Sequence, residues 1–154
     1  MSATLELLRP IPLFADLSDE ELTRIAELCE TTSHASGESL FREGEPGNRL
    51  CIIVEGGVRN SREIPGAGEE ALAVLKRGAL FGEMAVFDRS ERSSDAISHG
   101  GTTVLTISRA EFEMLLDFNR ALAYKVLWAM VRMLSGRLRN TNDSLRSFLA
   151  LSMF

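Results

Sequence analysis

Cysteine, histidine, tryptophan and tyrosine are all scarce in this chain of 154 residues, numbering two, two, one and one. The two cysteines, Cys29 and Cys51, cannot build a disulfide framework. Each lies beside apolar neighbours, so both are expected to be small buried hydrophobes of a reducing compartment. The two histidines, His34 and His99, fall short of the about three imidazoles that a metal site on a cupin-type barrel requires. Neither has a motif that would equip it as a haem ligand, and lone loop histidines are usually solvated. No Ser-His-Asp grouping, Cys-His pair or Walker-type loop is present. An enzyme is therefore not expected, nor a metal or other cofactor.

Long apolar runs are missing too. The longest uncharged stretch, Ala96 to Ser108, is laced with polar residues and too short to span a bilayer. The start, Met1-Ser2-Ala3-Thr4-Leu5-Glu6, has no basic segment leading into an apolar one, so no secretory signal is visible. A soluble, cytoplasmic chain without a membrane partner is the expectation. Basic charge is also in deficit: seventeen Lys and Arg against twenty-two Asp and Glu give a net charge of −5. That balance argues against a nucleic-acid partner. Arg132, Arg137, Arg139 and Arg146 gather near the C-terminus, where a solvated helix face accounts for most of them.

What remains is ordinary globular material, 45% hydrophobic and 25% charged. A single domain over 1–154 is expected, burying roughly 70% of the surface of the unfolded chain. Ser18 and Glu21 have capping-box spacing ahead of Leu22, Ile25, Ala26 and Leu28, predicting a helix start. Pro10 and Pro12 separate that helix from the apolar stretch Leu5 to Leu8. N-terminal helices thus occupy about 1–30. Over 31–108 short β-rich runs alternate with glycines: Ser39–Phe41, Leu50–Val54, Val58 onward, Ala71–Leu75 and Thr102–Ile107. Such a rhythm predicts an antiparallel sandwich, roll or barrel. The fold class is α+β, mainly β.

From 109 onward the pattern is helical. A short helix suits Arg109–Leu116, and a longer one begins near Asn119. Within it Leu127, Val131, Leu134, Leu138, Thr141, Leu145 and Phe148 alternate at spacings of four and three. This is an a/d seam of period 3.5, the mark of two helices packed along their length. Ala123, Val126, Met130 and Met133 form a second apolar face, expected to pack on the β part. Two faces on one helix predict a homodimer; the competing reading is a helix sunk in its own core. Gly136 weakens the helix interior with no reason visible in the sequence.

The chemistry is concentrated in Leu75 to Ser94. Gly82 permits a close backbone turn, and Glu83-Met84-Ala85 can form a helical turn whose free N–H groups suit a phosphate. Arg92, ten residues beyond Gly82, offers a forked guanidinium that matches phosphate oxygens. Glu83 would repel a bare anion, so it needs a hydroxyl to accept from, as a ribose 2′-OH supplies. Phosphate plus ribose means a nucleotide. Against this stands a plain turn with a surface ion pair.

The residues Phe81-Gly82-Glu83-Met84-Ala85 and Glu91-Arg92-Ser93-Ser94 resemble the phosphate-binding cassette of cyclic-nucleotide-binding domains. The Glu-Arg-Ser form is similar to that of the family's bacterial catabolite-activator branch. Upstream, Gly37-Glu38-Ser39-Leu40-Phe41, Gly44, Gly47-Asn48 and Ile53-Val54-Glu55-Gly56 resemble its β-roll turns; downstream, Val104 to Phe112 resembles its last strand and following helix. The sequence departs from the family at Ala79, often Asp, and at Cys51, often aromatic.

The resemblance implies an antiparallel β-roll over 31–108, flanked by helices, with a long dimerisation helix in 109–154. It implies a cassette at 81–94 in which Phe81, Gly82, Glu83, Met84, Ala85, Arg92, Ser93 and Ser94 meet the ligand. Gly82 and Glu83 would meet the ribose, and Arg92 with Ser93 the cyclic phosphate. Arg137-Leu138-Arg139-Asn140-Thr141-Asn142 is similar to the helix segment that contacts the base, which places Arg137 near the ligand and Thr141 and Asn142 on the purine, one from each protomer. The ligand implied is cAMP, with cGMP as the competitor, and the output passes to an effector protein the sequence does not identify. An activator-type DNA-binding domain is not expected within 1–154, nor nucleic-acid binding by this chain alone. The alternative is a β-roll kept for dimerisation, its ligand site lost or altered toward cGMP or cyclic di-GMP.

Overall fold

The computed structural model describes residues 3–64, 68–92 and 94–152, with the backbone alone over 61–64 and 68–73. Helix α1 (Ala3–Leu8), a 3-10 turn (Pro12–Phe14) and helix α2 (Asp19–Glu27) lead the chain. Both halves of the capping box form: Ser18 Oγ accepts from the Glu21 N–H at 3.2 Å, and Glu21 Oε1 accepts from the Ser18 N–H at 2.9 Å. Then follow β1 (Glu30–His34), β2 (Ser39–Phe41), β3 (Arg49–Ile64), β4 (Gly68–Lys76), β5 (Leu80–Phe81), α3 (Glu83–Asp88), β6 (Asp95–Ser108), α4 (Arg109–Phe118) and α5 (Arg120–Ser152).

All strand pairs are antiparallel, in the order β1-β6-β3-β4, with β2 added on β6 and β5 on β3. The mainly-β roll with flanking helices agrees with the sequence reading. One expectation needs correcting. Gly56 and Gly57 do not separate two strands; β3 runs through them, its register with β6 shifting on either side of Gly56. Gly56 has φ +82°, and a Cβ there would sit 2.0 Å from the Gly101 carbonyl oxygen. The glycine marks a bulge where two backbones close on each other, which bends a strand rather than ending it.

Alternation along β3 divides the interior. Leu50 and Ile52 point to a core shared with Leu8, Phe14, Leu22, Ile25, Phe112, Leu122 and Val126 of the helices. Cys51 and Ile53 point the other way, into the roll, against Phe41, Val58, Phe81, Ala96 and Val104. A period of two lets one strand border both cores. Cys51 is buried, Cys29 half-buried, and both are free thiols. Burial pushes each thiol up to about 11. At pH 8 neither should therefore react with a disulfide reagent on the timescale of a denatured control; rapid native labelling would contradict this packing. The histidines lie on strands rather than loops. His34 on β1 is half-buried, its Nε2 3.1 Å from Thr32 Oγ1 and its Nδ1 3.4 Å from Glu38, while His99 is exposed on β6.

Helix α5 carries both faces anticipated for it. Leu122, Val126, Ala129 and Met130 are buried, with Ala123 and Met133 partly so. Leu127, Val131, Leu134, Leu138, Leu145 and Phe148 are exposed. The seam is not sunk in the chain's own core. A Cβ on Gly136 would meet nothing within 4 Å, and nothing in the structure explains that glycine.

Candidate functional site

Pairing of Cys51 and Ile52 with Phe81 and Leu80 fixes β5 against the middle of β3. The chain then turns through Gly82, at φ +79°, into α3. A side chain is excluded there twice over: by the left-handed backbone, and because a Cβ would lie 2.5 Å from Arg92 Nη1. Beyond α3 the loop returns alongside the turn after β2. The Arg92 N–H donates to the Glu45 carbonyl at 2.8 Å, the Gly44 N–H donates to the Arg92 carbonyl at 3.0 Å, and Pro46 bridges Glu91. Turn and loop together carry the Arg92 side chain inward.

Arg92 is only 4% exposed. Its Nη1 donates to the Gly82 carbonyl at 2.7 Å and its Nη2 to the Arg49 carbonyl at 2.8 Å. The guanidinium lies over the Phe41 ring, 4.1 Å from the centroid. Its buried Nε has no hydrogen-bond partner among the described residues. Burial pulls the guanidinium below its usual range, yet arginine stays protonated in proteins. No carboxylate forms an ion pair with it among the described residues. The Glu45 and Glu83 charges offset part of the cost of this buried cation without pairing with it directly, which leaves room for an anion to join it.

Glu83, at the start of α3, is also buried, and its Oε1 accepts a hydrogen bond from Arg137 Nη2 of α5. This contact ties the long helix to the turn that holds Arg92. Around these groups opens a cavity of about 480 Å³, within the size range of small-ligand pockets. Of the residues singled out from the sequence, Phe81, Gly82, Glu83, Met84, Ala85, Arg92, Ser94 and Arg137 line it. Ser93 lies outside the described residues. Thr141 and Asn142 do not line it; both are exposed on α5, and Thr141 Oγ1 donates to the Arg137 carbonyl at 2.9 Å.

Sequence reasoning missed Phe41, Asn60, Leu75 and Leu80 as wall residues. They sit on β2, β3, β4 and β5, and only strand register brings them together. Asn60 gave no local sign, being one of five consecutive polar residues from Arg59 to Glu63. No group of three or more His, Cys, Asp or Glu side chains is placed to hold a metal ion, and no helix is long and apolar enough to cross a membrane, among the described residues.

Comparison with known proteins agrees with this geometry. The family described as "cyclic nucleotide-binding domain" matches residues 31–119, from β1 to the end of α4. A CRP-like cAMP-activated global transcriptional regulator of Mycobacterium tuberculosis is 27% identical over 140 residues, covering 91% of this chain and 61% of the relative. Isozyme 1 of cGMP-dependent protein kinase from Drosophila melanogaster is 34% identical over 116 residues, 73% of this chain and 15% of the kinase. The chain thus spans less than two thirds of either relative. The N-terminal domain of a transcriptional regulator from Streptomyces coelicolor superposes with a TM-score of 0.78 at 34% identity, covering 89% of this chain and 95% of that domain. A glycine turn, a buried guanidinium and a neighbouring carboxylate on a β-roll of this topology carry one meaning: the chain belongs to the cyclic nucleotide-binding domain family.

Proposed function

We propose that this chain is a regulatory sensor of cyclic nucleotides, with cAMP as its ligand, and that it performs no catalysis. The observation that carries the reading is Arg92, a buried guanidinium lining a ligand-sized cavity with no carboxylate in ion-pair contact among the described residues. The cyclic phosphate joins Arg92, with the Ser93 hydroxyl and N–H and Ser94 completing its shell. The ribose lies against Gly82 and Glu83, whose carboxylate accepts from the 2′-OH. Phe81, Met84 and Ala85 give the apolar bed. Serine directly after the arginine resembles the bacterial branch that takes cAMP, which favours cAMP over cGMP.

The signal leaves through α5. A ribose hydroxyl competes with Arg137 for Glu83, so ligand changes the contact that ties α5 to the cassette. Thr141 and Asn142 meet the purine, one residue coming from each protomer of a dimer built on the seam. Ligand acts by favouring that arrangement. The receiver is an effector protein.

Titration calorimetry with cAMP, cGMP and cyclic di-GMP side by side tests this. Saturable binding of cAMP is expected, cGMP binding more weakly and cyclic di-GMP not at all. Heat from none of the three would overturn the reading in favour of a β-roll kept for dimerisation alone.

A further inference from the structure

On the sheet side the cavity wall is apolar, made by Phe41, Leu75, Leu80 and Phe81, with one exception. Asn60 of β3 is half-buried there, and its carboxamide has no hydrogen-bond partner among the described residues. Its carboxamide is thus open to whatever occupies the cavity, the one polar group on an otherwise apolar wall.

Register supplies its address. Asn60 pairs with Ala96 of β6, and Ala96 pairs with Phe41 of β2, the residue beneath the Arg92 guanidinium. Directly opposed residues of antiparallel strands present their side chains on one face. Phe41, Ala96 and Asn60 therefore form a row across the sheet floor. Two inter-strand steps place Asn60 on the order of 10 Å from Phe41. That separation matches the length of a cyclic nucleotide from phosphate to base. Ala96 between them is fully buried in the roll core.

We infer that Asn60 reads the edge of the purine, from the cavity floor and independently of α5. The inference rests on the cyclic-nucleotide reading above. A carboxamide offers an acceptor beside a donor. Adenine presents the complement on both reachable edges, its 6-amino group beside N7 or beside N1, and asparagine pairs with such an edge by two hydrogen bonds. Guanine presents two acceptors at N7 and O6, so only its other edge could match. Asn60 thus favours a 6-aminopurine when the N7 edge of the base is turned toward it.

The test compares cAMP with the cyclic 3′,5′-monophosphate of purine riboside, which lacks only the 6-amino group. The unmodified protein is expected to bind cAMP about tenfold more tightly than the analogue, within the discrimination that a bidentate base contact supplies. In Asn60→Val the preference should fall to near unity, through loss of cAMP affinity with the analogue's affinity retained. Asn60→Ser, too short to reach both edge atoms, should behave likewise and serves as the second variant. Retained binding of the analogue reports that the fold and the phosphate site are intact. If both variants keep the preference, or if both ligands weaken together, Asn60 does not read the base; the Arg92 site would stand and this inference would fall. Binding of neither ligand by the unmodified protein overturns the sensor reading and this inference with it.

Discussion

Arg92→Ala is expected to weaken cAMP binding by on the order of thirtyfold to several thousandfold, the cost of about 2–5 kcal/mol seen when one member of a buried charge pair is truncated. The size follows from where the guanidinium sits. It is 4% exposed, held by two carbonyls and stacked on Phe41, and no carboxylate pairs with it among the described residues. Its reorganisation on meeting a phosphate is therefore small, and no carboxylate in direct contact has to be displaced. Arg92→Lys should fall between the two proteins, because an ammonium keeps the charge but cannot hold both carbonyls and still present a fork. The unliganded protein should tolerate the alanine better than its ligand binding does. Removing the side chain unpairs the Gly82 and Arg49 carbonyls, but it also removes a buried charge that no ion pair holds directly, and the two effects oppose each other. Thermal denaturation separates them. cAMP should raise the Tm of the unmodified protein and leave that of Arg92→Ala unmoved, by linkage of ligand to the native state. An unchanged dissociation constant in the alanine variant would remove Arg92 from the site.

The residues of the cassette stood out in the sequence because they are local, Gly82, Glu83 and Arg92 lying within one turn, one short helix and one loop, but only resemblance separated them from a plain turn with a surface ion pair. The helix start at Ser18 was legible for the same reason, since a capping box is satisfied within four residues. The floor of the cavity was not. Phe41 and Asn60 are nineteen positions apart and meet only through Ala96 of β6, in a register set by bulges that composition does not reveal. Gly56 shows the ambiguity in small: a glycine inside a β-rich run reads equally well as a break or as a close approach of two backbones. Only the Gly101 carbonyl, supplied from far along the chain, decides it. Arg137 came forward through resemblance, but the ion pair with Glu83 needed the helix packed against the roll.

The α5 seam was legible from its period, and it leads to the second large effect. The unmodified chain should sediment at twice its 17.0 kDa mass, and Leu134→Glu with Leu138→Glu should return it to a single chain. Leu134 is 39% exposed and Leu138 61% exposed, so in the isolated chain glutamate at either position displaces little packing. Surface changes of that kind usually stay within about 0.5 kcal/mol. In a seam shared by two copies the same residues become a and d knobs, and both protomers would bring their carboxylates into one apolar strip. An unpaired buried charge costs several kcal/mol, so the dimer constant should rise by more than about a thousandfold. The strip available runs from Leu127 to Phe148, roughly 30 Å at 1.5 Å per residue, with Thr141 as its one polar position. That threonine is already satisfied by the Arg137 carbonyl and need not oppose association. Arg139→Glu, one position past Leu138 and off the seam, is the control and should leave the mass unchanged. Sedimentation velocity at tens of micromolar reads all three proteins. A single-chain mass for the unmodified protein would mean that the exposed leucines of α5 serve something other than a second copy, and that Thr141 and Asn142 have no partner cavity to enter.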